Sequence, residues 1–443
     1  MRFPIIIAAI FGIPLGTRIL LGLFTTGFHE YEAAFLYASD FIVIALVASV
    51  LFINRKDGVS ISRILIVLLA IVVGSSLLSL MSAPISALAM YRFLRLIFLI
   101  LFAYAVGTVL RGKQHLTIAA TVLVVLGVVE SVIAFLQFKI QHALGLSFFG
   151  ESPISVTDPA SSRIIVDGLH VLRGYGTFPH PNILGAFLVL SFAALIYLWF
   201  SVSIPKLNVT RRNWKDAFRR YRPVFLTTII LSIAFFVLSL GLVLTFSRSA
   251  WVTSAILLIV PFAALFYSVL RKQAMKFFVV LGVTAWILFS IFSFWIIPRV
   301  GVSPVERSVS ERVSYMQIAR EMIKVNPMGV GLGNQIFSGV RSGLYGDYGV
   351  RESWKWQPVH NIYLLAAVEI GVLGGISLLL FLVALTFAVM YRAVTLQNIW
   401  VSVLLISFIV FGFFDHFLWD LWQGQLMLWL VIGIAFAHLR SRS

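Results

Sequence analysis

His360 stands where a polar stretch gives way to an apolar one, in Pro358-Val359-His360-Asn361-Ile362-Tyr363-Leu364. Imidazole is the one unperturbed side chain that gives and takes protons near pH 7. A general base or acid of this kind contributes about 10²–10⁴ in rate when it faces a reacting hydroxyl. The same residues also read as an interfacial histidine followed by a helix-capping asparagine, Asn361. The pattern by itself keeps both readings open.

Two arginines occupy settings suited to holding an anion. Arg248 lies in Thr245-Phe246-Ser247-Arg248-Ser249-Ala250, between apolar runs so close together that its charge must sit at a membrane face. Charge there is costly, which favours a functional assignment, with Ser247 and Ser249 as donors beside it. Snorkelling to the interface is the alternative. Arg173 leads Arg173-Gly174-Tyr175-Gly176-Thr177-Phe178-Pro179-His180-Pro181-Asn182. The glycines allow the backbone a tight path near a ligand. Pro181 sets the start of a helix, and Asn182 falls in its first turn, able to bond a ligand or freed backbone. An ordinary re-entry turn has the same composition.

Arg92 and Arg95 are three residues apart and share a helix face. Asp40 and Glu130 fall inside apolar runs, and an arginine–carboxylate pair within the bundle accounts for these charges most simply. Asp415, His416 and Asp420 cluster at a short turn. They either join the site of His360 or form an interfacial polar cap beside Trp419 and Trp422, which suit an aromatic belt. Pro327-Met328-Gly329-Val330-Gly331-Leu332-Gly333-Asn334 has the glycines of a nucleotide loop but no Gly-Lys-Ser/Thr after it, so it reads as a flexible glycine hinge. The chain has no cysteine, which excludes disulfides, thiol nucleophiles and thiolate metal sites. No HExxH or Walker motif is present, and no metal or cofactor is expected.

These residues must be positioned by apolar elements. The chain is 60% hydrophobic and 12% charged, where a soluble domain is about 45–50% apolar and about 25% charged. The excess falls in blocks of roughly 17–25 apolar residues, the length that spans a bilayer as a helix. The expected fold class is an all-α integral membrane protein of about twelve transmembrane helices, near 4–24, 34–53, 64–81, 88–110, 117–137, 181–202, 224–246, 250–270, 277–297, 360–391, 399–415 and 421–439. The first lacks a small-residue cleavage site and reads as an anchor. The tenth is too long for one straight span. A short helix carrying His360 is expected, then the membrane helix proper after Glu369.

The net charge of +17 sits largely in one set of loops, as membrane insertion requires, so nucleic acid is not the expected partner. These loops hold Arg55, Lys56 and Arg63; Arg111 and Lys113; Lys206, Arg211, Arg212, Lys215, Arg219, Arg220 and Arg222; Arg271, Lys272 and Lys276; Arg392; and Arg440 and Arg442. The bias puts both termini in the cytoplasm, with the run from Lys206 to Arg222 against anionic headgroups. Two outer-face loops are long, about 138–180 and 298–359, the larger partly helical. Their arginines, among them Arg163, Arg173, Arg299, Arg307, Arg312, Arg320, Arg341 and Arg351, run against the bias and suggest an anionic ligand. The chain divides into N-terminal helices at 1–137, central spans with the first outer loop and the basic loop at 138–297, the large outer loop at 298–359, and C-terminal spans at 360–443.

Four stretches in their joint order resemble the O-antigen ligase and polymerase superfamily of bacterial membrane glycosyltransferases. They are Arg173 to Asn182, the Thr245-Phe246-Ser247-Arg248 turn, Asn326 to Asn334, and His360-Asn361-Ile362-Tyr363-Leu364 through Glu369-Ile370-Gly371-Val372-Leu373-Gly374. The likeness covers about 165–375, and the flanking spans by hydropathy alone. The resemblance implies a glycosyltransferase of the bacterial inner membrane with its active site facing the periplasm. Such an enzyme moves a glycan from a polyprenyl (undecaprenyl) diphosphate carrier to an acceptor hydroxyl, with inversion and without metal, nucleotide or cofactor. Carried over by position, Arg173 and Arg248 hold the diphosphate and His360 takes the acceptor proton. Asn182, Ser247, Asn361, Arg92, Arg95, Arg312 and His416 are the candidate supporting residues. The implied partners are the lipid-linked donor, a lipid A–core or other glycan acceptor, membrane lipids and other envelope glycan enzymes.

His180 departs from the pattern, since a small or polar residue is expected there, and supplies either a second base or part of the donor groove. Ligase, polymerase and protein-glycosylating enzyme differ in acceptor alone, and a ligase-like transfer is the leading expectation. In a different class, a lipid or sugar transporter or flippase would carry ionisable residues near the midplane and broken helices. Asp40, Glu130, Arg92 and Arg95 are the residues that would serve it.

Overall fold

The computed structural model describes residues 2–26, 29–51, 59, 61–201, 214–301, 307–392 and 395–439. Arg55, Lys56, Lys206, Arg211, Arg212, Arg440 and Arg442, and the side chains of Lys215, Arg219, Arg220 and Arg307, lie outside the described residues.

Apolar runs become helices because lipid offers backbone N–H and C=O groups no other partner. The chain opens with α1 (Arg2–Phe11), an antiparallel hairpin of β1 (Arg18–Leu23) and β2 (Ala33–Tyr37), then α2 (Ala38–Leu51), α3 (Arg63–Ser79), α4 (Ser86–Val109) and α5 (Gly112–Ile140). A second hairpin, β3 (Arg163–Val166) and β4 (Leu169–Leu172), leads into α6 (Pro181–Ser201). Next come α7 (Trp214–Leu244), α8 (Arg248–Leu257), α9 (Ile259–Ala264) and α10 (Arg271–Val300). A polar stretch holds α11 (Arg307–Val325), α12 (Gln335–Arg341) and α13 (Leu344–Asp347), and α14 (Ile362–Arg392), α15 (Leu396–Gly412), α16 (Phe417–Asp420) and α17 (Trp422–Leu439) close the chain.

Among the described residues, eight helices are long and apolar enough to cross a membrane: α3 to α6, α7 from Arg222, α10, α14 and α17. The chain is a multi-pass membrane protein. α2, α15 and the α8–α9 pair are apolar but shorter. The expectation of twelve full spans is corrected at the N-terminus above all. The run 4–24 is a ten-residue helix followed by a strand, and ten residues rise only about 15 Å. Gly12 and Pro14 end α1 early, and hydropathy counts the apolar strand Arg18–Leu23 as though it were helix. The expected span 34–53 likewise begins as β2, and 250–270 divides into α8 and α9. The all-α expectation therefore becomes a mostly helical fold with two hairpins.

α6 is the centre of the bundle. Nearly its whole length is buried, and it packs against α5, α7, α8, α15 and α17. α14 lies against α3 and α15, and α17 against α4.

α14 is broken where it matters. Gly371 adopts φ 84°, ψ 161° inside the helix, a conformation glycine alone takes without strain. The break strands helix hydrogen-bond groups, and the 327–331 loop satisfies them. Val330 N–H donates to Val368 O at 2.9 Å, Gly331 N–H to Glu369 O at 2.9 Å, and Val372 N–H to Pro327 O at 3.0 Å. Gly329, at φ 92°, lies so close that a Cβ there would meet Glu369 O at 2.5 Å. The Ser82 hydroxyl donates to Gly329 O, and Asn334 Oδ1 accepts from Ile85 N–H, pinning the same loop to the start of α4. The glycine stretch expected to be a flexible hinge is thus a clamp on a broken helix. His360, expected on a short helix of its own, instead precedes the first turn of α14.

Candidate functional site

A cavity of about 860 Å³ opens at the end of the bundle where α6, α8 and α14 begin and α7 and α15 finish. Arg173, His180, Asn182, Arg248, Arg312 and His360 are among the residues that line it, and Ser247, Ser249, Arg299 and Tyr315 also belong to its polar wall. Trp295, Pro298 and the Ile164–Val166 edge of the second hairpin form an apolar flank. Residues far apart in sequence are therefore gathered on one cavity.

The arginines are set by backbone carbonyls. Arg173 is buried, and three of its N–H groups are directed: Nε to Thr245 O at 2.6 Å, Nη1 to Ser162 Oγ at 2.8 Å and Nη2 to Asn182 Oδ1 at 2.7 Å. The next carbonyl, Phe246 O, accepts from Arg299 Nε at 3.1 Å, while Arg248 Nη1 donates to Gly301 O at 3.1 Å. Phe246 itself has φ 46° and is fully buried. A bulky residue in the left-handed region is strained, and here the strain turns two successive carbonyls toward two guanidinium groups. Ser247 caps α8, its hydroxyl accepting from Ala250 N–H and contacting Ser249 Oγ at 3.1 Å. Burial, then the neighbouring Arg299, lowers the pKa of Arg173 to about 9, so it stays a cation at neutral pH.

The loop carrying Arg173 is strapped to α5. Gln137 Oε1 accepts from the N–H groups of Tyr175 and Gly176, and its Nε2 donates to Gly176 O and Glu151 Oε1. Glu130 accepts from Thr177 N–H at 2.8 Å and from its hydroxyl at 2.9 Å. Glu130 thus supports the loop from within the bundle, and the expected arginine–carboxylate pair is Arg95 with Asp40, at 3.2 Å. Arg92 donates to the carbonyls of Asp420 and Tyr31. Neither Arg92 nor Arg95 is among the cavity residues.

The histidines form a second cluster. His360 Nδ1 lies 3.1 Å from Pro358 O. A carbonyl only accepts, so Nδ1 carries the hydrogen and Nε2 keeps its lone pair. Tyr315 of α11 stacks on the ring at 5.5 Å, and His416 meets it edge-on at 4.8 Å. His416 is buried, with Nδ1 2.9 Å from Asp420 Oδ1. Asp415 joins the two halves of the site. Its Oδ2 accepts from Asn182 Nδ2 at 2.6 Å and lies 3.9 Å from Arg312 Nη2. Asn361 is not among the cavity residues and caps α14, its Oδ1 accepting from the N–H groups of Tyr363 and Leu364.

This arrangement separates the charges of two adjacent imidazoles. Burial, then His416, holds His360 well below the usual histidine range, so it is neutral at pH 7. Burial also opposes charge on His416, but the Asp420 carboxylate and its hydrogen bond outweigh it and raise the pKa. Asp415 is held below the usual carboxylate range because the positive charges beside it, those of His416 and Arg312 among them, overcome its burial. One atom each of His360, Asp415 and His416 lies within 4.8 Å of the others. Around a tetrahedral zinc such atoms stand about 3.4 Å apart, so these side chains would have to close in to hold an ion.

Sequence reasoning missed Tyr315 and Gln137. Tyr315 follows Arg312 by three residues on α11, which puts both on one face. Gln137 follows Glu130 by seven within an apolar run, the spacing that repeats a helix face after two turns. Both spacings were visible signals.

Residues 233–379, about a third of the chain, match a family model described as O-antigen ligase. The match takes in the 245–248 turn, the glycine clamp, His360 and the broken part of α14, and it stops short of Arg173 and His416. The segment is thus similar to the O-antigen ligase family. No curated protein and no solved structure matches the chain.

Proposed function

We propose, from the premise that residues 233–379 carry the O-antigen ligase pattern, that this chain transfers a glycan from a polyprenyl diphosphate to an acceptor hydroxyl at the periplasmic face of the bacterial inner membrane. The observation that supports it most is the convergence of Arg173, Arg248 and His360 on one cavity of about 860 Å³. That volume suits a ligand site, for which 300–1,000 Å³ is typical.

His360 Nε2 takes the proton of the acceptor hydroxyl. The freed oxygen attacks the anomeric carbon from the side opposite the diphosphate. The carbon–oxygen bond to phosphate breaks, its electron pair leaves with the diphosphate, and the configuration inverts. The leaving group carries the growing charge, and the positive charges of the Arg173 and Arg248 guanidinium groups, oriented by their bonds to the protein, stabilise it. Arg299 and Arg312 add positive potential from the same wall. A preorganised donor at a developing oxyanion is worth about 10²–10³ in kcat. The lowered pKa of His360 leaves its imidazole unprotonated at neutral pH, so the Nε2 lone pair is present when the hydroxyl arrives.

Reconstitution with a purified polyprenyl-diphosphate glycan, candidate acceptors and EDTA tests the reading. Product in EDTA is expected. A strict requirement for a divalent ion overturns the metal-free mechanism and turns attention to His360, Asp415 and His416 as ligands. A single-step addition to lipid A–core identifies a ligase, and a ladder of repeat lengths a polymerase. His360→Ala should abolish product while the donor still accumulates outside; loss of outward donor instead points to a transporter.

A further inference from the structure

We infer that His180 is a hydrogen-bond donor to the departing diphosphate, through an Nε2–H fixed by the backbone of α6. The inference rests on the transferase reading above and adds a residue to it. His180 lines the same cavity as Arg173, Arg312 and His360. It stands one residue before Pro181, and its carbonyl accepts from the N–H groups of Ile183 and Leu184, so it is the residue that caps α6.

The ring takes part in that cap. Asn182 N–H donates to His180 Nδ1 at 3.1 Å. A backbone N–H can only donate, so Nδ1 offers its lone pair and the hydrogen resides on Nε2. His360 is in the opposite state, since its Nδ1 faces a carbonyl at 3.1 Å. Two imidazoles on one cavity therefore carry complementary tautomers, one with its lone pair at Nε2 and one with its N–H at Nε2. The first suits the hydroxyl that must lose a proton. The second suits an oxygen that gains negative charge.

The charged and titratable groups facing His180 include Arg173, Asp415, His416, Arg312 and His360, and Tyr175 packs edge-on against its ring at 6.2 Å. Burial, then Arg173, pushes its pKa down to about 3. The ring thus stays neutral throughout the working range and donates without transferring its proton. A neutral imidazole polarising an oxygen by N–H donation is established enzyme chemistry. A cap alone would not call for imidazole, because Ser, Asp and Asn cap helices well.

His180→Asn and His180→Gln separate the two roles. Asparagine reproduces the Nδ1 acceptor and lacks the far donor; glutamine carries a donor near the Nε2 position. The assay uses an undecaprenyl-diphosphate-linked oligosaccharide in proteoliposomes, with thermal unfolding in detergent as the folding control. His180→Asn is expected to melt as wild type and lose about 10²-fold in kcat, with KM little changed because the bond strengthens only as charge develops. His180→Gln should stay within about tenfold of wild type. Wild-type kcat in His180→Asn, or equal losses in both folded variants, overturns the inference. Where the glutamine variant melts early, the asparagine variant decides alone. His360→Ala in the same assay separates the failures. Turnover surviving there removes the base and the premise, whereas its loss beside wild-type His180→Asn removes the donor role only.

Discussion

At the residue scale, the site separates holding from reacting. Arg173 spends three directed N–H groups on Thr245, Ser162 and Asn182, which fixes the plane of the guanidinium before any ligand arrives. Lysine keeps the charge but has no planar fork. Arg173→Lys should lower kcat/KM for the lipid donor by about 10²-fold or more, measured with His360 intact; activity within a few-fold of wild type argues against a diphosphate at this position. His360 is neutral well below the ordinary histidine pKa, so kcat/KM should stay flat as pH falls from 8 to about 6, and an acid limb centred near 6.5 would contradict this. His416 works in the other sense. Its folded pKa is raised by Asp420 and Asp415 against its burial. The stability it contributes is fully present below the unfolded value of about 6.5 and is lost as pH rises through the folded value. The melting-temperature gap between wild type and Asp420→Asn should accordingly be widest in mild acid and narrow in alkali.

At the scale of elements, the clamp between the 327–331 loop and α14 sets where the turn carrying His360 stands. Gly329 has φ 92°, and a Cβ would meet Glu369 O at 2.5 Å and Gly371 N at 2.6 Å. Both strain and collision oppose any side chain there. Gly329→Ala should destabilise by about 2–4 kcal/mol and reduce turnover although it touches no substrate; an unchanged melting temperature would show that the loop yields. The sequence made parts of this level legible and hid others. The RGYGTFPHPN stretch, the TFSR turn and the His360 segment were recognisable because each combines polar chemistry with a helix boundary. The broken helix was anticipated from the length of the 360–391 run, close to where Gly371 interrupts it. The clamp was not, because its hydrogen bonds join backbone groups some forty residues apart and leave no trace in side-chain pattern. The β1–β2 hairpin was hidden for a related reason: hydropathy records that Arg18–Leu23 is apolar, not that it is extended.

At the scale of the whole molecule, the basic residues divide between loops that suit the inner surface and a cavity rim. Arg163, Arg173, Arg248, Arg299, Arg312 and Lys355 all line the cavity, and their summed field draws in anions before contact. Raising ionic strength from about 0.01 M to 0.15 M shortens the screening length from about 30 Å to about 8 Å. KM for the diphosphate donor should therefore rise with salt, while kcat changes little because the contacts inside the cavity are short. A kcat that falls in step with affinity would mean that the field acts on the chemistry and not only on capture.

The discontinuity at Gly371 reaches beyond the clamp. The segment from Val372 to Arg392 is by itself about 30 Å of helix, enough to cross the hydrocarbon layer. The piece from Ile362 to Ile370 belongs mechanically to the cavity rim, to which the 327–331 loop ties it. Lipids of longer or shorter acyl chain can then tilt the lower piece without displacing the imidazole. Turnover across a series of bilayer thicknesses should be correspondingly level, as for an instrument hung on a gimbal.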